Sequence, residues 1–240
     1  MDADRRPGKT MSSGTRNGWA PRALPADPVA AERLQEWLLA TDEQGLDAVG
    51  LDFSGADLSG GNFRESWFTD AKLTNVNLAE ADFYRADMQG ADLSGANLAG
   101  ASLIRTNLDD AVLRGANLDA ADFVKASLYG VDASDATFRG ARLMGASILD
   151  ASICGADLTN AVVQENSFHV RVDDRTILHG FSGSIFGPVE FIGEAGGAQE
   201  VSGADLERWI RERGGNVNVI SRKPLKGPHA AQEDLQEDDS

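Results

Sequence analysis

The sequence predicts an all-β solenoid for the middle of the chain, on three observations. Residues 51–170 follow a period of five, the period alternates small and large side chains, and glycine recurs at its end. Starting at Phe53, 24 positions spaced by five hold twelve Leu, seven Phe, two Ile and one each of Met, Val and Ala. Two residues before each lies a second column, in which 17 of 24 residues are Ala. Such units cannot bury their apolar side chains singly, so they must stack into a continuous core.

The remaining positions of the unit predict a short strand followed by a corner. The residue between the two columns is Asp or Asn in 13 of 24 units, and ten units end in Gly. Glycine relieves the backbone where a chain turns sharply. No insertion or deletion interrupts the 24 units in the sequence.

The repeat resembles a known family. The segments ADLSGANLAGASL (residues 91–103) and RGANLDAADF (residues 114–123) are similar to the A(D/N)Lxx motif of pentapeptide-repeat proteins. The resemblance implies a right-handed quadrilateral β-helix with four pentapeptides per coil. Residues 51–170 would then form about six coils and a rod roughly 29 Å long.

The ends of such a rod need covering, because exposed strand edges invite aggregation. Residues 28–50 are predicted to be an N-terminal helical cap, with Asp27 as N-cap and Pro28 at the first helical position. We expect Trp37 of this helix to pack against Trp67. The apolar stripe of the helix comprises Ala30, Leu34, Trp37 and Leu38. Residues 1–27 are predicted to be a disordered arm, and no apolar segment of a secretory signal follows their basic residues.

Residues 171–221 are predicted to be a small cap or dimerisation module of strands and one helix. Ser202 and Asp205 suit a capping box, and residues 216–220 read as a short strand. Phe181, Phe186 and Phe191 keep a spacing of five out of phase with the main array, as in a degenerate extra coil. Residues 222–240 are predicted to be a disordered tail.

Composition excludes several classes of function. The net charge of −16 argues against direct nucleic-acid binding and against anionic membranes. No stretch of 18 apolar residues indicates a membrane span, and one cysteine excludes an internal disulfide. No phosphate-binding loop and no metal-ligand spacing of His and Cys is present, so we expect neither cofactor nor metal. The sequence therefore predicts a cytoplasmic protein that is not an enzyme.

One outward column of the predicted solenoid is apolar without a reason in the repeat. If residues 20 apart stack, this apolar strip comprises Tyr84, Ile104, Val124 and Met144, and it is about 14 Å tall. Beside it runs a basic ladder of Arg85, Arg105 and Lys125, and Tyr129 and Leu149 extend the apolar surface on the next face. An apolar strip with a charged rim is typical of a protein-binding site. The sequence leaves open whether it is covered by a partner protein, a second copy of the chain or its own C-terminal region.

The alternative function is mimicry of DNA. The family includes proteins that protect DNA gyrase from quinolones, which makes a type II topoisomerase a candidate partner and drug resistance or self-protection a candidate role. Residues 51–170 carry 17 acidic and 8 basic residues, a net charge of −9, whereas duplex DNA of this length presents about 17 phosphates. The best acidic column, here called the acidic corner, is Asp70, Asp110 and Asp150, with Asp109 beside it.

Overall fold

The repeats form a β-helix solenoid. The computed structural model describes residues 16–193 and 196–220 of the chain. Parallel bridges join residues 20 positions apart, from Asp47 with Trp67 to Asp157 with Ile177. Backbone hydrogen bonds follow the same step, since the Phe53 N–H donates to the Lys72 carbonyl at 2.8 Å. Each unit of five is therefore stacked on the unit four repeats away.

The large column of the sequence forms the core. All 24 of its side chains, from Phe53 to Phe168, are 5 % exposed or less. The N-terminal end of this core is aromatic, because Phe63 stacks on Phe83 and meets Phe68 edge to face. The predicted alternation of small and large inward residues is confirmed.

The corners use the left-handed backbone region even where glycine is missing. Of the 24 corner positions, 23 have positive φ, and 13 of these carry a side chain. Arg105, Ala120 and Lys125 are examples, at 59°, 58° and 59°. The exception is Val170, where the register changes. A bulge between Leu149 and Ala151 makes the pairing step 19 residues there, so this coil is one residue shorter than the sequence pattern indicates.

The Asp and Asn residues between the two columns close the turns. Each of these 13 side chains accepts a hydrogen bond from the backbone N–H two residues later, as Asp82 does from Tyr84 at 2.9 Å. This local bond explains why the repeat selects short polar side chains there.

Helix α1 (Pro28–Leu39) stands at the N-terminal end of the solenoid. The Asp27 carboxylate accepts a hydrogen bond from the Ala30 N–H at 2.8 Å, as an N-cap should. The buried residues of α1 are the four that the apolar stripe predicts. Trp37 stacks on Phe63 with ring centroids 5.7 Å apart, which joins the helix to the aromatic end of the core.

Two expectations at this end are wrong. Residues 16–27 are not a disordered arm: Ala23 bridges to Asp57, and Trp19 lies edge-on to Phe63 at 5.4 Å and donates to the Ser59 carbonyl at 2.9 Å. Trp67 does not pack on Trp37 but stays on the outer surface, 46 % exposed. The aromatic contact beside Trp37 comes from Trp19, because the chain before α1 folds back over the first coil.

Strands of the C-terminal half continue the stack. Strand β3 pairs in parallel with β1, β2, β4 and β5, and β7 pairs in parallel with β4. Strand β6 pairs antiparallel with β5, so a hairpin flanks the last layer. The strands are β1 (Arg142–Met144), β2 (Ser147–Ser152), β3 (Val162–Val172), β4 (Ser182–Phe186), β5 (Val189–Ile192), β6 (Ala198–Val201) and β7 (Asn216–Ile220).

Helix α2 (Gly203–Glu212) packs against β7 at this end. Ser202 precedes it but its side chain makes no capping hydrogen bond, so the predicted capping box does not form. Glu207 of α2 instead accepts a hydrogen bond from the Val219 N–H at 2.9 Å, which satisfies a donor of the last strand. The predictions made for residues 1–15 and 222–240 fall outside the described residues.

Candidate functional site

The apolar strip is a continuous stack on one face of the solenoid. The backbone N–H groups of the basic ladder connect its members: Arg85 donates to Ile104, Arg105 to Val124 and Lys125 to Met144, at 3.0–3.1 Å. The four apolar side chains are half-buried, and the three basic residues are exposed. A basic column thus borders the strip at the neighbouring corner, one residue further along each coil.

Tyr84 is held between two guanidinium groups. Arg64 lies over its ring at 4.3 Å from the centroid and Arg85 at 5.2 Å. Arg64 is in turn paired with Asp82 at 2.9 Å. The apolar pattern of the column does not include Arg64, although Arg64 lies 20 residues before Tyr84 in that column. Cation–π contact and the ion pair restrict both side chains before any partner binds.

Two cations of the ladder form no ion pair within the part of the chain that the structure describes. Arg85 lies 3.9 Å from Glu65, but Arg105 and Lys125 make no ion pair and no side-chain hydrogen bond with the described residues. Other arginines of the solenoid are paired with carboxylates: Arg114 with Asp132 at 2.6 Å and Arg139 with Asp157 at 2.7 Å. The ladder therefore presents free positive charge on a protein with a net charge of −16.

The described C-terminal residues extend the strip's face instead of folding over it. Met144 pairs with Gln164, and Ser184 of β4 pairs with Asn218 of β7, so each strand adds a layer further along the rod. Apart from Phe186, the residues of 173–193 and 196–220 make no hydrogen bond, ion pair or ring contact with the strip. The strip remains partly exposed along the part of the chain that the structure describes.

Tyr129 and Leu149 lie on the adjoining face. Tyr129 is 47 % exposed, and its hydrogen bond with Asp150 raises the pKa of the phenol. Leu149 lines an open groove of about 670 Å³ together with His169 and Ile220, at the end of β7. This part of the surface continues toward the C-terminal end of the rod.

The acidic corner is only partly free. Asp150 contacts the His169 ring nitrogen at 2.9 Å, and Asp109 accepts hydrogen bonds from the Ser127 hydroxyl and the Tyr129 N–H. Among the described residues, the carboxylates of Asp70 and Asp110 have no hydrogen-bond partner. Gly90 and Gly130 occupy the alternate places in this column. Two of the four carboxylates are thus engaged in holding the fold together.

The aspartates between the two inward columns of the repeat also stabilise the fold. Burial opposes the ionisation of Asp57 and Asp92, but hydrogen bonds from Ser59 and Ser94 outweigh it and hold the pKa of each carboxyl below its usual value. The same balance lowers the pKa of Asp132 and Asp157, with arginine pairs contributing. Eight of the 17 acidic side chains in residues 51–170 accept turn hydrogen bonds of this kind.

The one cysteine of the chain, Cys154, is half-buried in the solenoid. Burial raises the pKa of the Cys154 thiol, which lowers its nucleophilicity at neutral pH. Residues 16–193 and 196–220 contain no group of three or more His, Cys, Asp or Glu side chains placed to hold a metal ion. Helices α1 and α2 are each too short to cross a bilayer.

Comparison with known proteins identifies the repeat. The family model of pentapeptide repeats matches eight copies, over residues 44–75, 52–90, 62–100, 91–130 and 121–160. The chain is similar to HetL, a pentapeptide repeat protein involved in heterocyst differentiation regulation in the cyanobacterium Nostoc sp. strain PCC 7120. The identity is 20 %, the TM-score 0.50, and the match covers 75 % of this chain and 86 % of HetL. That likeness supports the fold alone.

Two further solved structures match with lower TM-scores. Rfr23, a pentapeptide repeat protein from the cyanobacterium Cyanothece 51142, is 25 % identical with a TM-score of 0.41, covering 54 % of this chain and 89 % of that one. QnrB1, a plasmid-mediated fluoroquinolone resistance protein, is 18 % identical with a TM-score of 0.21, covering 72 % and 92 %. No curated protein matches the sequence. Pentapeptide-repeat proteins are generally structural or binding proteins. On the family match and the stacked units of five, this chain belongs to the pentapeptide-repeat family.

Proposed function

We propose that this protein is a non-catalytic scaffold that binds a protein partner through its solenoid faces. The observation that carries the proposal is the open apolar strip beside the basic ladder. Four consecutive outward positions, Tyr84 to Met144, are apolar, although the repeat needs no apolar residue there. An apolar centre with a charged rim is the arrangement of protein interfaces.

We expect the N-terminal end of the strip, at Tyr84, to contribute most of the binding energy. Tyrosine and arginine are enriched among residues that dominate interface energies, and Tyr84 is fixed between Arg64 and Arg85. A side chain already fixed loses little conformational freedom on binding. Arg105 and Lys125 add unpaired positive charge, so the favoured partner carries apolar side chains next to acidic ones.

The test is a double substitution in the strip, Ile104→Glu with Val124→Glu. The matched control is Ala79→Glu with Ala99→Glu, which places two carboxylates 20 residues apart at outward positions of another face. The unchanged protein and the two purified variants are each immobilised and exposed to a cell lysate. The proteins that each one retains are compared by mass spectrometry. Thermal unfolding is recorded for all three proteins. Sedimentation velocity measures their oligomeric state, which shows whether the partner is a second copy of the chain.

We expect a protein, or a dimer, that is retained by the unchanged chain and the control but lost from the strip variant, with all three equally folded. If both variants retain the same proteins and the same oligomeric state, the strip is not the binding site. Unfolding of the strip variant alone would mean that the strip is internal packing, which also contradicts the proposal.

The second candidate is mimicry of duplex DNA toward a type II topoisomerase such as DNA gyrase, with drug resistance or self-protection as the outcome. The free carboxylates of Asp70 and Asp110, on one corner 40 residues apart, favour it. A mimic that occupies a DNA-binding saddle loses affinity steeply as salt rises. Titration against purified gyrase at low and moderate salt separates the candidates, since a strip-based contact depends little on salt.

A coil of 20 residues gives about six coils over residues 51–170, and right-handed winding is carried over from the family resemblance. The acidic composition and the single cysteine support a cytoplasmic location.

A further inference from the structure

We propose that the acidic C-terminal segment of this chain, residues 233–239, binds the apolar strip and the basic ladder and so competes with the partner. The inference rests on the proposed function, because it concerns regulation of that same face. The segment reads EDLQEDD and contains five carboxylates, no base and one leucine, Leu235.

The described chain ends in line with the ladder. Four successive pairings lead from Ser127, two residues after Lys125, to Ile220: Ser127 with Ser147, Ser147 with Ser167, Ser167 with Phe186, and Phe186 with Ile220. At about 4.8 Å per strand spacing, Ile220 is about 19 Å from the level of Lys125 and about 24 Å from that of Arg105. The chain therefore leaves β7 on the adjoining face, beside the corner that carries the ladder.

The length of the connection matches this span. Twelve residues, 221–232, separate Ile220 from the acidic segment. A flexible chain of that length has a root-mean-square span of about 17–21 Å. The effective concentration of a tethered ligand is highest when that span equals the distance to its site, and it reaches the millimolar range. Weak contacts suffice under these conditions.

Charge selects this segment and this face. Arg105 and Lys125 are exposed and have no partner among the described residues, while the rest of the solenoid surface is predominantly acidic. The N-terminal residues 1–15 carry three basic and two acidic side chains, so they do not complement the ladder. An extended segment places Leu235 over the strip while the flanking carboxylates pair with the ladder, since both surfaces run side by side.

The experiment uses the full chain with a spin label at its end. Cys154→Ser removes the native thiol, and Ser240→Cys carries a nitroxide next to the acidic segment. Paramagnetic broadening of backbone amides is then measured by NMR. We expect stronger broadening at Ile104, Arg105 and Lys125 than at Asn97 and Ala99 on another face.

Two variants with the same change in net charge test the cause. Arg105→Gln with Lys125→Gln removes two positive charges from the ladder, and Ala79→Glu with Ala99→Glu adds two negative charges elsewhere. Broadening at Ile104 should be lost in the first variant and kept in the second. Adding 1 M salt should reduce it in the unchanged chain.

Three results would overturn the inference: no broadening at the ladder, equal broadening on all faces, or broadening that survives loss of both ladder charges. Each is read without a partner protein. Broadening at the ladder with no protein captured by the strip would leave the inference standing and count against the proposed function. Capture of a protein by the strip without broadening at the ladder would support the proposed function and overturn the inference.

Discussion

The side-chain amide of Asn97 donates a hydrogen bond to the side-chain Oδ1 of Asn77 in the preceding coil, at 3.0 Å. The same link repeats on either side, from Asn77 to Asp57 at 3.0 Å and from Asn117 to Asn97 at 3.2 Å. An asparagine in this column both donates along the rod and accepts from its own turn, whereas an aspartate only accepts. The polar position of the repeat thus joins coils as well as closing turns.

Asn97→Ala should therefore destabilise the solenoid. The substitution removes the bond to Asn77, the bond from Asn117 and the turn bond from the Ala99 N–H. We expect a loss of about 2 kcal/mol in the free energy of unfolding, measured by urea denaturation. Ser102→Ala is the control, because the Ser102 side chain has the equivalent position but makes no hydrogen bond among the described residues. Equal losses in both variants would contradict the role of the ladder.

Trp19 should contribute more to stability than Trp67. Trp19→Ala removes the edge-on contact with Phe63 and the hydrogen bond to Ser59, and it uncovers the aromatic end of the core. We expect a loss of about 3 kcal/mol and increased aggregation on heating. Trp67→Ala should cost about 1 kcal/mol or less, because that side chain is nearly half exposed. The reverse order would show that the chain before α1 is not a cap.

Ala120→Gly should stabilise the protein. Ala120 occupies a corner with φ of 58°, where a Cβ atom is unfavourable and glycine is not. We expect a gain of about 0.5–1 kcal/mol, seen as a higher Tm. Ala99→Gly is the control, since residue 99 lies next to a corner but without positive φ, and it should lower the Tm. A lower Tm for Ala120→Gly would mean that its methyl group packs usefully.

Acid should weaken the fold through the turn carboxylates. The folded-state pKa of Asp57, Asp92, Asp132 and Asp157 lies below the usual value, so the unfolded chain binds protons first as the pH falls. Their contribution is complete above about pH 5 and is lost as the pH falls through about 4 and below. Thermal unfolding measured from pH 7 to pH 3 should show this decline.

Asp92→Asn should make that decline shallower, because an amide keeps an acceptor for the Ser94 N–H without titrating. Asp70→Asn is the matched charge control, because it removes the same charge from a corner where the carboxylate accepts no hydrogen bond from the described residues. An identical decline in the Asp92 variant would show that its turn does not contribute to acid sensitivity.

The positions of the residues in the candidate site could be predicted from the sequence, but the pairing of their charges could not. Once residues 20 apart are taken to stack, the strip and the ladder follow from residue numbers alone. Which cations are free does not follow, because pairing depends on side chains from neighbouring coils, as in Arg64 with Asp82 and Arg114 with Asp132. The cation–π contact of Arg64 with Tyr84 likewise joins side chains of neighbouring coils.

By itself the sequence determined the period, the buried columns, helix α1 and strand β7, because each is encoded by residues close together in the chain. The tertiary structure decided three other features. It brought Trp19 onto Phe63, it shortened the coil at Val170, and it placed non-glycine residues such as Ala120 in left-handed corners. These depend on the closing of a coil against the next, since burial and hydrogen bonding across 20 residues or more outweigh local preference.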